Sequence, residues 1–475
     1  MASPVCLRSF SQRTLDRSPL ASLASRTLRA PQTACFSTSA TRFANPNMKK
    51  KALGAAPKKG TRTLNVKKGK KASADSGKRP GIGERKAQRK RIVLTNNNAL
   101  EVSSLKDLDK ASALDASIQG QVRGLPDPLV DSLRALEAFK TTQGWSLFRR
   151  PATLIRKETA EVASLIKEVE ASEKGKKTTV RRILTGEKMS GKSTLVLQGL
   201  SIALLRQWVV INLPECQDIT NAHTDYAPLP GSQPQQYTQN SYTANLLTQI
   251  LKANTDFFAK DIPVTTNPEL PVPLPKGANL KQLAQLGVAN PEAAWPVFMA
   301  LWKELTLPNR PPILFAADNL AHIMRNSAYI SPELKPIHPF DLTLVRHFVD
   351  LLSSKTALPN GGVILAATSK SNAPATPALD FSVQIAEAKQ YHPESMPRWN
   401  PYKNIDGRVM EALKDIPVIK SGGLSKEEAR SVMEYYAESG MLRAKVDEQF
   451  VSQKWSLAGM GNVGELERAT VRLRI

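Results

Sequence analysis

The sequence predicts an α/β fold in which a parallel sheet is flanked by helices. Three stretches carry that prediction. LTGEKMSGKSTLVL, residues 184–197, holds Gly186, four residues, then Gly191-Lys192-Ser193. PPILFAADNLAHI, residues 311–323, is a short apolar run that ends in Asp318. GGVILAATSKS, residues 361–371, is a second such run with polar residues at its tip. Apolar runs of this length, bounded by turn residues and separated by helical patterns, are the mark of strands buried on both faces.

The first stretch reads as strand, glycine turn and helix. VRRILTGE is β-like, and KSTLVLQGLSIALLRQW is built of good helix formers starting at the Ser/Thr pair. Such a turn aims backbone N–H groups inward, and the helix N-terminus adds its dipole, which together suit phosphate oxygens. The candidate nucleotide-binding residues are therefore Gly186, Glu187, Lys188, Met189, Ser190, Gly191, Lys192, Ser193 and Thr194. Lys192 is placed to meet the β and γ phosphates, and the Ser193 hydroxyl to reach a Mg2+ ion.

Asp318 is expected at the carboxyl end of a strand beside the phosphate loop, where it could hold Mg2+ with Ser193 or cap a turn. The next residue is Asn319. Many phosphate-loop ATPases place Glu there to polarise the attacking water, and a carboxamide cannot take that proton. The parts to bind a nucleotide are present, whereas no obvious part to split it is. Thr368, Ser369 and Lys370, at the tip of the third stretch, are placed to approach a γ-phosphate. No Asn-Lys-x-Asp element sets a base preference, so guanine and adenine both stay open.

Around this centre the chain divides by composition. Residues 1–45 are rich in Arg and Ser, poor in acid and lack a continuous apolar centre, as in a mitochondrial presequence and unlike a secretory signal. Residues 46–91 are Lys- and Gly-rich and too poor in apolar residues to fold alone. They read as a disordered basic arm, either simply solvated or laid against nucleic-acid phosphates. Of the net charge of +24, +20 lies in the first 91 residues, so the rest is not broadly polycationic.

Residues 92–179 read as a helical region, residues 180–385 as the nucleotide-binding domain with Pro-rich insertions, and residues 386–475 as a small helical or winged lid. In the lid, Ser425 and Glu428 have capping-box spacing. TLVLQGLSIALLRQWVVINL is apolar, but Gln198, Arg206 and Gln207 interrupt it, and it reads as a helix plus a buried strand and not as a membrane span. Two of the three cysteines fall in the leader, so Cys216 alone remains and excludes a disulfide framework. His322 and His347 read as satisfied helix-surface or core residues, not metal ligands.

Taken in order, RRILTGEKMSGKS, YTQNSYTANLLTQILKAN, PILFAADNLAHI, FDLTLVRHFVDLL and GGVILAATSKS resemble the death-associated protein family of mitochondrial ribosomal proteins, over roughly residues 145–470. The leader and arm are similar to those of fungal members. The resemblance implies an AAA+-like α/β fold, a place in the head of the mitochondrial small subunit, and a bound GTP or GDP with Mg2+, ATP not being excluded. It implies small-subunit rRNA and neighbouring ribosomal proteins as partners, with bridge contacts to the large subunit also admitted. By position, Gly186, Gly191, Lys192, Ser193 and Thr194 match the family's phosphate loop and Asp318 its second acidic motif. Relatives often have Gly where this chain has Asn319, which keeps the expectation of weak or absent hydrolysis. The competing reading is an active mitochondrial NTPase, a remodelling ATPase or a regulatory GTPase.

Overall fold

A computed structural model describes residues 92–472 apart from 173–176, 267, 372 and 404. The presequence and basic arm expected at 1–91 lie outside the described residues. Among the described residues nine strands form: β1 (Val122–Gly124), β2 (Ala152–Leu154), β3 (Thr179–Gly186), β4 (Val209–Leu213), β5 (Ala227–Pro228), β6 (Tyr237–Thr238), β7 (Ile313–Ala317), β8 (Gly362–Ala367) and β9 (Val418–Ser421). Five of them form one parallel sheet in the order β4-β7-β8-β3-β9.

Alternation along these strands feeds two cores. Ile211, Phe315, Ile364, Ile183 and Val418 pack to one face, under helices that include Asn240–Ala253, Ala294–Leu305 and Thr343–Leu352. Their neighbours Val210, Leu314, Leu365, Leu184 and Ile419 pack to the other, under Asp127–Ala135, Lys157–Ala171 and Lys192–Leu205. The central strands β7 and β8 are buried on both faces and apolar at every position, which is why these two runs show no polar alternation. The apolar run after the phosphate loop is a helix, Lys192–Leu205, followed by β4. Among the described residues no helix is long and apolar enough to cross a membrane.

Three arrangements differ from the sequence reading. Asp318 does end a parallel strand, but β8 lies between β7 and the phosphate-loop strand β3. The fifth strand of the sheet, β9, comes from within 386–475, the stretch expected to form a separate lid, and the helix Pro377–Tyr391 runs across the expected boundary. Residues 92–179 contain both expected helices and also the antiparallel pair β1–β2, whose three-residue strands are too short to show a period.

What remains of the lid is helical. Lys426–Glu438, Glu448–Leu457 and Val463–Thr470 bury Ala429, Met433, Tyr436, Val451 and Leu466 against Phe148, Val122 and Leu154 of the N-terminal region. The capping box forms: the Glu428 N–H donates to Ser425 Oγ at 3.1 Å, and the Ser425 N–H donates to Glu428 Oε2 at 2.9 Å. His347 sits in the core against Trp302, with burial lowering its pKa to about 4, and its Nε2 has no hydrogen-bond partner. It is thus a core residue, but not a fully satisfied one.

A cationic cavity at the phosphate loop

All five strands of the sheet run parallel, so their carboxyl ends gather at one edge, the place where open α/β sheets build their sites. From β3 the chain turns through Gly186 at φ +151° and Gly191 at φ +92° into the helix. A side chain at Gly186 would run into the Ser421 carbonyl oxygen at the end of β9, so that position needs glycine for space as well as for backbone angle. Lys192 is buried and folds back on its own loop, donating to the Gly186 and Glu187 carbonyls at 2.9 and 2.6 Å. Burial, and then the neighbouring Lys370, lower its pKa to about 8.

The loop is braced from outside. Arg156, one residue ahead of the helix Lys157–Ala171, donates through Nη1 to the Ser190 carbonyl at 2.7 Å and through Nη2 to the Gly422 carbonyl at 2.8 Å. The lid grips the loop as well: Asn462 Nδ2 donates to the Lys188 carbonyl at 2.8 Å and the Gly464 N–H to that of Met189 at 3.1 Å. On the N-terminal side, Gln143 Nε2 donates to Thr194 Oγ1 at 3.2 Å.

These three parts enclose a cavity of about 490 Å3. Its phosphate-loop end is lined by residues 188–194 together with Thr368, Ser369 and Lys370. Apolar and aromatic walls come from Val122, Trp145, Phe148, Leu154, Tyr435 and Tyr436. Cations crowd it: Lys140, Arg156, Lys188, Lys192, Lys370, Arg468 and Arg472 line it, against the single carboxylate of Glu467, which pairs with Arg472 at 2.8 Å. Burial pushes the Glu467 carboxyl up despite that arginine. A polar, cationic end joined to an apolar end fits a ligand with an anionic head and a flat, weakly polar body.

Asp318 lies just behind this cavity with Asn319. Asp318 Oδ1 accepts from the Asn319 N–H at 2.8 Å, and Oδ2 faces Lys140 Nζ at 3.4 Å. Burial works against the Lys140 charge, yet Asp318 and Glu215 together hold its pKa above the ordinary lysine value. Asn319 adopts φ +62°, and its Nδ2 donates to Glu215 at the tip of β4, not toward the cavity. No hydrogen bond joins Asp318 to Ser193 among the described residues, and the Asp318 carboxylate pairs with Lys140 instead. Among the described residues no cluster of three or more His, Cys, Asp or Glu side chains could hold a metal ion.

Of the residues named from the sequence, Lys188–Thr194 and Thr368–Lys370 line the cavity, whereas Gly186, Glu187 and Asp318 do not. Sequence reasoning did not name Lys140, Gln143, Arg156, Asn462, Glu467 and Arg472. None of those belongs to a motif. They come from other elements, and only the packing brings them to the loop.

Residues 153–469 match the family described as mitochondrial ribosomal death-associated protein 3. The chain belongs to that family. A fungal relative, the small ribosomal subunit protein mS29 of Neurospora crassa, is 43% identical over 413 residues, covering 86% of this chain and 87% of its own. The protein of the same name in Schizosaccharomyces pombe is 24% identical over 80% of this chain and 77% of its own. Among solved structures the chain is similar to a Walker-type ATPase of Pyrococcus abyssi, at 12% identity and a TM-score of 0.34 over 66% of this chain and 68% of that one. The ORC2 protein of Aeropyrum pernix in its ADP form gives 13% identity and 0.31 over 65% and 59%. Membership makes this a mitochondrial ribosomal protein, in keeping with the address read from its leader. The family match opens at 153, so the cavity wall built by Lys140, Gln143 and Trp145 lies ahead of it.

Proposed function

We propose that this protein is a constituent of the mitochondrial small ribosomal subunit that holds a purine nucleotide, GTP or GDP with ATP also admitted, as a structural ligand. The observation that carries the reading is the cavity's construction: its walls belong to the N-terminal region, the phosphate loop and the C-terminal helices. A ligand there touches all three and ties them together. Lys192 and the loop N–H groups would hold the phosphates, with Lys188 and Lys370 adding charge, and the aromatic walls would take the base. The nucleotide supplies charge and shape, and no bond in it needs to break. Asn319 points to Glu215, and the cavity carboxylate Glu467 is paired with an arginine, so neither is disposed to take a proton from water. Contacts to rRNA and to neighbouring ribosomal proteins complete the role, with the basic segment 49–91 as the candidate phosphate-binding arm.

The test is to isolate the small subunit from mitochondria at moderate salt and ask for this chain and its nucleotide together. Co-sedimentation, with about one purine nucleotide released per chain, supports the role. A chain found only in free pools, or bound without nucleotide, overturns it.

A further inference from the structure

A strand-end acid beside a phosphate loop suits a divalent cation only if its oxygens have lone pairs to give. Asp318 is buried, and each of its oxygens already has a partner. One oxygen accepts the Asn319 amide at 2.8 Å and the other faces the Lys140 ammonium at 3.4 Å, on a side chain that is only 8% exposed. Lys140 is held on the far side by the Pro214 carbonyl and by Glu215 Oε2 at 3.5 Å. It therefore bridges the tips of β4 and β7 while lining the same cavity as Lys192 and Ser193.

We propose that Lys140 takes the position a divalent cation would otherwise fill, satisfying Asp318 and presenting its positive charge to the phosphates, so that nucleotide is held without Mg2+. The inference rests on the nucleotide reading above and deepens it. With its three donors turned to Pro214, Glu215 and Asp318, the ammonium acts on the phosphates through its charge across the cavity, and unlike a metal ion it cannot be chelated away. The price is specificity of charge. Removing Lys140 frees Asp318 and should turn the site into one that recruits Mg2+.

The experiment titrates the purified chain with a fluorescent GDP analogue in excess MgCl2 and, separately, in EDTA. For the wild type, the two affinities should agree within about twofold, since an ion that does not join the complex shifts nothing. For Lys140→Met, affinity in EDTA should fall about tenfold, the loss of one cation's attraction across the cavity, and MgCl2 should restore part of it. Because Lys140→Met leaves a buried carboxylate unpaired, the double variant Lys140→Met/Asp318→Asn serves as a neutral partner. It should fold, as read by circular dichroism, and bind weakly in both buffers with no Mg2+ rescue. A wild type that loses nucleotide in EDTA, or a Lys140→Met chain that matches wild type in both buffers, overturns the proposal while leaving nucleotide binding intact. No binding by wild type in either buffer overturns the nucleotide reading and this inference with it.

Discussion

Arg156 donates to the Ser190 carbonyl across 2.7 Å, joining a residue 34 positions upstream to the crest of the phosphate loop. Its second nitrogen reaches Gly422, just past β9, so one buried guanidinium clamps loop, sheet edge and lid together. Arg156→Ala should cost about 2–4 kcal/mol of stability, because hydrogen bonds from a charged donor are worth about 1.5–3 kcal/mol each and do not add fully. Arg156→Lys should not restore it, since one ammonium cannot span the fork. Thermal unfolding of both variants checks this: equal losses fit the clamp, and a lysine variant that melts like wild type does not.

Lys192 gives a pH signature. Its folded pKa of about 8 lies below the unfolded value near 10.5, so between those limits the unfolded chain binds more protons. The stability of the ligand-free protein should gain from this group as pH rises from about 8 to 10.5. Nucleotide acts in the opposite sense: phosphates favour the charged lysine, so affinity should weaken as pH rises through about 8. Lys192→Met should remove its share of both trends. Melting curves at pH 7, 8.5 and 10, with and without GDP, read both effects, and a nucleotide shift that grows with pH would sink the assignment.

Glu304 anchors the Pro-rich segment at residues 261–280. Its buried carboxylate accepts from the Thr265 and Thr266 N–H groups at 2.9 and 2.6 Å, from both hydroxyls, and pairs with Arg310 at 3.4 Å. Burial pushes its pKa up, but the bonds from Thr266 and Thr265 prevail and hold it below the usual value. Glu304→Ala strands those donors and should cost about 3–5 kcal/mol, the scale for breaking a buried ionic group. Limited proteolysis should then cut near 259–278 much faster than in wild type, with unchanged cleavage elsewhere. Uniformly faster cleavage would mean global unfolding instead.

How much of this was legible in the sequence follows from distance along the chain. The phosphate loop and its strand and helix are contiguous, so Gly186 through Thr194 announce themselves, and Asp318 does so at the end of an unbroken apolar run. Strand order is not local. Nothing in GGVILAATSKS says that it inserts between β3 and β7, and VIKS at 418–421 is too short to be told from loop. Lys140 and Arg156 look like any surface cations because their partners, Asp318 and Ser190, lie 178 and 34 residues away. Their burial is set by packing alone.

The central claim is that a nucleotide is part of the folded structure, and one paired measurement addresses it most directly: thermal unfolding with and without added GTP, GDP and ATP, alongside multiple-turnover phosphate release. A ligand held at about 100 times its dissociation constant adds about 2.7 kcal/mol to the native state. At least one purine nucleotide should therefore raise the melting temperature by several degrees, Lys192→Ala should abolish the rise, and phosphate release should stay far below one per second. No nucleotide-dependent shift, together with turnover of about one per second or faster, the ordinary enzyme range, would contradict the account and make the protein an NTPase.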